Sequence, residues 1–406
     1  MGCARLLPRY FQLIWRHSVF SSSSSSSSSC YRACIMQLCA RFSVRSCHSL
    51  RLAVPVRSFG TTSPRVWAWK SAAVFGCFPL KSPLAAGITY TSRARSMGTD
   101  LRASLARKPC AVAPPPAPNG GKFKVAVCQL SVTANKEQNI NHAREVIEGA
   151  ADEGAELIVL PEMWNCPYSN SSFPVYAEDI DAGGNESPST MMLSDVARKK
   201  QVTIIGGSIP ERSYDHLYNT CCIYGRNGEL QAKHRKVHLF DIDIPGKIVF
   251  KESETLTAGE GLTVVDTYVG RIGVGICYDI RFEELAMLYA ARGAQMICYP
   301  GAFNMTTGPL HWELLQRARA IDNQLYVITC SPARDPTASY VAWGHSTVVG
   351  PFGEIISKTG HEEATIFADI DYSVSDQRRL NMPLDKQRRG DLYQLVDVSR
   401  CHEGSE

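Results

Sequence analysis

Three places in the chain set a chemically capable side chain where a strand gives out. In Leu160-Pro161-Glu162-Met163-Trp164 an apolar run ends at a proline and delivers a carboxylate, the kind of strand end where open α/β sheets hold their ligands. Alone, Glu162 reads as a solvated loop acid. In Ala232-Lys233-His234-Arg235-Lys236-Val237-His238 a basic cluster closes a strand-like stretch, and by itself Lys236 belongs to an ordinary charged face. In Gly275-Ile276-Cys277-Tyr278-Asp279-Ile280-Arg281-Phe282 a Gly-interrupted apolar strand runs into an amphipathic helix, which puts Cys277 at a tight corner. A free thiol titrates near pH ~8.5, and a helix N-terminus or a nearby cation lowers that value. Cys128, Cys221, Cys222, Cys298 and Cys330 lack such a junction and read as small buried hydrophobes. Taken together, a carboxylate, an ammonium and a thiol at three strand ends supply a general base, an electrostatic clamp and a nucleophile, the set that acyl transfer from an amide requires.

Elements that could position these groups alternate from residue 122 onward. Residues 123–130 read as a strand, Ile140, Ala143, Val146, Ile147 and Ala150 fall at helical spacing, and residues 156–160 resume a strand. Residues 203–209, 219–225 and 229–238 read as consecutive strands, the last two joined at Asn227-Gly228. Residues 263–267 and 271–276 pair across a turn at 268–270, followed by a helix over 282–292, a strand over 295–299, a helix over 311–323 and a strand over 325–330. Final strands flank Gly350-Pro351 and run through 364–371. Such a series predicts an α/β domain in which mixed sheets pair between helix layers. Gly270, Gly273 and Gly275 are in the wrong order for a dinucleotide loop and read as turn and strand glycines.

Charge divides the 406 residues into two unlike pieces. The first 120 hold 16 Lys/Arg and a single acid, Asp100, a net +15, while the remainder carries 27 basic and 38 acidic residues, a net −11. The acidic body excludes a globally basic nucleic-acid binder. The opening region, with nine serines at 21–29, scattered arginines such as Arg5, Arg9, Arg16, Arg41 and Arg51, and almost no acids, has the composition of an organelle transit peptide; a flexible low-complexity tail is the alternative. Residues 113–121, rich in Pro and Gly, read as a linker. No stretch has the roughly 20 apolar residues of a membrane span. Fifteen cysteines without a CxxC pair point to free thiols in a reducing compartment. Adjacent Cys221 and Cys222 would face opposite sides of a strand and make a poor metal pair. The sequons at Asn170, Asn185 and Asn304 read as chance matches.

Longer motifs give the constellation a family. Glu162, Lys236 and Cys277 match in chain order the Glu-Lys-Cys triad of the nitrilase (carbon-nitrogen hydrolase) superfamily, and Glu252 in Phe250-Lys251-Glu252-Ser253 matches its additional glutamate. Asn165-Cys166-Pro167-Tyr168-Ser169, His238-Leu239-Phe240-Asp241-Ile242-Asp243, Pro300-Gly301-Ala302-Phe303-Asn304, Thr306-Thr307-Gly308-Pro309 with His311-Trp312-Glu313, and Ser331-Pro332-Ala333-Arg334-Asp335 resemble the omega-amidase branch. Arg388-Arg389-Gly390-Asp391-Leu392-Tyr393-Gln394-Leu395-Val396 is similar to the plant chloroplast members of that branch. The likeness covers about residues 122–396 and leaves the first 120 aside.

The resemblance implies a four-layer α-β-β-α sandwich with mixed sheets, spanning 121–396 between a leader of 1–120 and a tail of 397–406. It implies Cys277 as nucleophile, Glu162 as general base and acid, Lys236 with the Tyr278 N–H as oxyanion stabiliser and proton donor, and Glu252 in support or as a structural partner of Lys236. The reaction it implies is hydrolysis of 2-oxoglutaramate and 2-oxosuccinamate through a Cys thioester, with no cofactor and no metal. The far carboxylate of such substrates calls for a cation; Arg281 and Arg334 are candidates, with Tyr168, Tyr278, Phe303 and Asn304 as wall residues, although Arg281 has Asp279 and Glu284 as nearby partners in sequence. A homodimer with residues 378–396 near the contact is also implied, with neither nucleic-acid nor membrane partner. A nitrilase, an N-carbamoyl amide hydrolase, a deaminated glutathione amidase and a non-catalytic binding protein of the same fold are the rival readings, and nucleic-acid binding by the +15 leader is a further one. Localisation is expected in the chloroplast, with the mitochondrion as alternative and the cytosol for a product starting at Met97.

Overall fold

The computed structural model describes residues 121–399; the expected leader and linker, Met97 and the end of the tail lie outside the described residues. The first sheet runs in the order β15-β1-β2-β3-β5-β4, with β6 also paired to β5. Its members are β1 (Lys122–Gln129), β2 (Leu157–Val159), β3 (Thr203–Ile205), β4 (Ile209–Ser213), β5 (His216–Tyr224), β6 (Leu230–Arg235) and β15 (Ala364–Asp371). The second sheet runs β14-β13-β12-β11-β10-β9, from β9 (Thr263–Thr267), β10 (Gly270–Val274), β11 (Met296–Pro300), β12 (Tyr326–Cys330), β13 (Thr347–Val349) and β14 (Ile355–Lys358). A separate hairpin joins β7 (Asp241–Ile244) and β8 (Ile248–Lys251). Both sheets are mixed: β1-β2-β3 and β10-β11-β12 are parallel cores with antiparallel flanks.

Strands in the middle of such a stack are covered on both faces, so they read as continuous apolar runs. Val125, Val127, Leu157, Val159 and Ile205 of the first sheet share one buried cluster with Ile272, Val274, Met296, Cys298 and Val327 of the second. On the outer side of the first sheet, Ala126, Cys128, Ile158 and Ile204 pack with Ala143 and Ile147 of helix α1 (Lys136–Asp152) and with Leu193 and Val196 of a helix at Pro188–Lys200. That helix is α3, and the others in chain order are α2 (Phe173–Tyr176), α4 (Glu283–Ala291), α5 (Gly308–Asn323), α6 (Tyr372–Asn381) and α7 (Leu384–Gln387). Leu285 and Tyr289 of α4 and Trp312 and Ala320 of α5 cover the second sheet. The result is the α-β-β-α sandwich.

Several elements differ from the sequence expectation. The single strand expected over 203–209 is two, β3 and β4, because Gly206 and Gly207 intervene and Gly207 adopts φ +63°. A Cβ on Gly207 would fall 2.2 Å from the Pro161 carbonyl oxygen, so only glycine lets this chain pass the segment leading to Glu162. The strand expected to reach residue 238 stops at Arg235, leaving Lys236 and His238 beyond the ladder. Helix α3, the hairpin β7–β8 and helix α6 carried no reading of their own in the sequence. Among the described residues no helix is long and apolar enough to cross a membrane.

Candidate active site

Four strand ends converge. Glu162 follows β2 through Leu160-Pro161, Lys236 follows β6, Cys277 follows β10, and Glu252 opens a short 3-10 turn, Glu252–Glu254, directly after β8. All four side chains are buried, three of them at 0% exposure and Cys277 at 4%. Cys277 does not begin an α-helix: it opens a 3-10 turn, Cys277–Arg281, and α4 starts only at Glu283. Its φ of +47° is in the left-handed region, which costs a non-glycine residue on the order of 1–3 kcal/mol and persists only when the surroundings hold it.

Buried charges must be paired, and here one ammonium serves two carboxylates. Lys236 Nζ donates to Glu162 Oε1 at 3.0 Å and to Glu252 Oε1 at 2.9 Å, with Glu252 Oε2 also at 2.9 Å. Glu162 Oε1 further accepts from Asn219 Nδ2 at 2.8 Å, and its Oε2 accepts from the Ala302 N–H at 2.8 Å. Glu252 accepts from the Tyr168 hydroxyl at 2.6 Å and the Phe240 N–H at 2.7 Å. Burial alone would push the Lys236 ammonium down, but Glu162 and Glu252 outweigh it and raise its pKa above the usual lysine value. Glu252 is raised, by burial first, with Lys236 opposing. Burial, then the neighbouring Glu162 carboxylate, raise the pKa of the Cys277 thiol well above the ordinary thiol value, against the pull of Lys236. The corner therefore stores a thiol beside an acceptor, opposite to the lowered value a helix N-terminus would give.

Beside the sulfur lies a small, tight cavity lined by Phe240, Cys277, Tyr278, Arg281, Ala302, Phe303, Asn304, Thr307 and Tyr340. Tyr278, Arg281, Phe303 and Asn304 are thus brought together as the sequence suggested. Tyr168 sits behind the wall, stacked on Tyr340 with ring centroids 4.4 Å apart. Arg334 does not line the cavity; its guanidinium lies over Trp343 and donates to the Trp343 carbonyl at 2.7 Å. Arg281 pairs with neither Asp279 nor Glu284: Nη1 meets His311 Nδ1 at 3.2 Å, the group stacks over Phe303, and its buried Nε has no hydrogen-bond partner. Burial, then Arg281, lower the His311 pKa, so a neutral ring faces the guanidinium. Asn304 Oδ1 accepts from the Thr306 and Thr307 N–H groups, while its buried Nδ2, beside Tyr340, makes no well-formed hydrogen bond.

Sequence reasoning missed Asn219, Thr307, His311 and Tyr340, and the backbone N–H of Ala302. Asn219 left a trace, an amide amid the apolar second half of β5 that is 0% exposed; Tyr340, in a polar loop, left none. Among the described residues no His, Cys, Asp and Glu gather in a group that could hold a metal ion. What remains is an uncharged nucleophile, a carboxylate beside it, a fixed ammonium and a small cavity whose wall holds an uncompensated cation.

Carbon-nitrogen hydrolases are the class with this fold, and their family description matches residues 124–379; the chain belongs to that family. It is 67% identical over 321 residues to the omega-amidase, chloroplastic, of Arabidopsis thaliana, covering 79% of this chain and 87% of that protein. It is 54% identical to an omega-amidase of Danio rerio over 68% of this chain and 98% of the relative. Among solved structures it is similar to Saccharomyces cerevisiae Nit3, a member of branch 10 of the nitrilase superfamily, with 46% identity, a TM-score of 0.61, and coverage of 66% of this chain and 97% of that one.

Proposed function

We propose that the chain is an omega-amidase that hydrolyses the terminal amide of 2-oxoglutaramate and 2-oxosuccinamate, giving 2-oxoglutarate or oxaloacetate and ammonia. The observation that carries this reading is the buried Lys236 ammonium held between Glu162 and Glu252 beside the Cys277 thiol; the omega-amidase relatives support the choice of amide. Because the thiol is held protonated, its proton passes to Glu162 as sulfur attacks the amide carbonyl. Lys236 and the Tyr278 N–H, which precedes the first bond of the 3-10 turn, receive the oxyanion; one such donor is worth ~2.7–4 kcal/mol. Glu162 returns the proton to the departing nitrogen, ammonia leaves, and a thioester remains on Cys277. Water, deprotonated by the same Glu162, releases the acid and restores the thiol. Glu252 holds Lys236 in place.

Arg281 is the cation for the far carboxylate: it reaches the cavity, and a neutral imidazole leaves its charge uncompensated. Asn304 Nδ2 is available to the 2-oxo group. Incubation with 2-oxoglutaramate, a nitrile and an N-carbamoyl amino acid tests the substrate reading, and preference for either of the latter two overturns it.

The homodimer, the leader and the plastid belong to the same proposal. Leu310 and Leu314 of α5, Leu380 of α6 and Met382 just beyond it, and Leu392 and Tyr393 after α7 are exposed apolar side chains suited to a subunit contact, which sedimentation of the pure protein tests. Residues 1–120 are proposed to direct import into the chloroplast, in keeping with the relative named chloroplastic; a fluorescent fusion of that segment decides between plastid, mitochondrion and cytosol.

A further inference from the structure

Asp279 is a carboxylate with 0% exposure two residues past the nucleophile, and it accepts four hydrogen bonds. Oδ2 takes the Ile276 N–H at 2.8 Å and His234 Nε2 at 3.1 Å; Oδ1 takes the His238 N–H at 2.9 Å and His238 Nδ1 at 2.8 Å. Two of these partners, His234 and His238, bracket Lys236 in the chain, and the third, Ile276, directly precedes Cys277. The far end of the same turn is tied to the same segment, since the Phe282 ring stacks on His238 with centroids 3.6 Å apart and planes 10° apart. One carboxylate thereby joins the strand end that presents the ammonium to the turn that presents the sulfur. A carboxylate has about four acceptor sites, all used here, so the group is fixed in orientation as well as place.

We propose that Asp279 is a positioning residue that sets Lys236 against Cys277, with His234 and His238 as the two arms through which it does so. The turn it braces needs bracing, because Cys277 occupies the left-handed region and an unbraced residue there relaxes toward ordinary backbone. Neither histidine reaches the cavity, and Asp279 does not line it, so the effect on chemistry is transmitted through the geometry of the pair. The inference rests on the proposed roles of Lys236 and Cys277, yet alkylation of Cys277 by iodoacetamide reads the geometry with no amide substrate.

The test compares Asp279→Asn, His238→Leu and His238→Asn with the wild type in the full chain. Asp279→Asn keeps the volume but turns a donor toward two existing donors; a misplacement of order 1 Å costs about 10²-fold. We expect kcat on 2-oxoglutaramate, counted per alkylatable thiol, to fall about 10²-fold with KM within about threefold, and the pH profile of Cys277 alkylation to move. His238→Leu removes one arm and should lower kcat about tenfold, whereas His238→Asn, whose Nδ2 takes the place of ring Nδ1, should restore most of it. Wild-type kcat per thiol and an unmoved alkylation profile in Asp279→Asn would overturn the proposal and leave a structural ion cluster. If Asp279→Asn does not fold, the two His238 variants decide: equal kcat in both overturns it. Failure of the wild type to release ammonia from either oxo-amide would instead remove the substrate reading, with the alkylation comparison still standing.

Discussion

Cys277 is a thiol whose pKa burial and Glu162 push up, so at neutral pH very little of it is thiolate and its reactivity has to come through proton transfer to Glu162. Glu162→Gln should therefore lower kcat by about 10²- to 10⁴-fold, and, because it removes the carboxylate that pushes the thiol up and leaves Lys236 pulling it down, should move the pH profile of Cys277 alkylation to lower pH, as measured by iodoacetamide kinetics from pH 6 to 10. Arg281→Ala removes a charge-assisted contact worth about 1.5–3 kcal/mol, so KM for 2-oxoglutaramate should rise about 10- to 100-fold, with little change for an amide that lacks the far carboxylate. His311→Glu should have the same effect by placing a carboxylate against that guanidinium. Residue types at three strand ends made Glu162, Lys236 and Cys277 legible as a set, whereas Glu252 was legible only through the family resemblance. The direction of the thiol shift was not legible: it depends on burial against a carboxylate 115 positions away in the chain, which no local window contains.

At the scale of elements, the site depends on backbone passing close to the nucleophile. A Cβ on Gly301 would stand 3.0 Å from the Trp312 ring and 3.2 Å from the Cys277 Cα, and neither neighbour has room, since Trp312 is 1% exposed and bonded through Nε1 to the His345 carbonyl. Gly301→Ala should destabilise the protein by about 1–3 kcal/mol and lower kcat more than it changes KM, checked by urea unfolding alongside steady-state kinetics. Central strands β1, β11 and β12 and helix α5 were readable because apolar periodicity is strong where both faces are covered. Helix α3 was not: Thr190, Ser189 and Arg198 to Lys200 dilute its pattern, and its stability comes from packing on the first sheet. The β7–β8 hairpin does alternate, with Ile242, Ile244, Ile248 and Phe250 on its half-buried face, but four residues a strand make a pattern too short to stand out.

For the whole molecule, the sandwich joins residues far apart in sequence, from β1 against β15 to Arg292 against Asp397, which ties the start of the tail to the domain. The family match begins at residue 124, so a protein lacking residues 1–120 should keep wild-type kcat and unfolding midpoint while losing import, measured on the truncated and full chains side by side. Acid stability follows from Asp279. Burial alone would raise its carboxyl, but His234, His238 and the Ile276 N–H hold it well below the usual range. A depressed folded-state value gives stabilisation that is complete above the unfolded carboxylate pKa near ~3.9 and is lost as pH falls from there through the folded value. The stability gap between wild type and Asp279→Asn should accordingly stay constant from neutral pH to about 4 and narrow below it, as read by urea unfolding at a series of pH values. The sandwich was legible from the alternation of elements, whereas the convergence of four strand ends on one ammonium required the sheets to be stacked. The account turns on sulfur attacking an amide carbon in that place, and ammonia release from 2-oxoglutaramate by the wild type and by Cys277→Ala measures it most directly. Release by the wild type that falls to background in the variant is the predicted result, and an undiminished rate in the variant would contradict it.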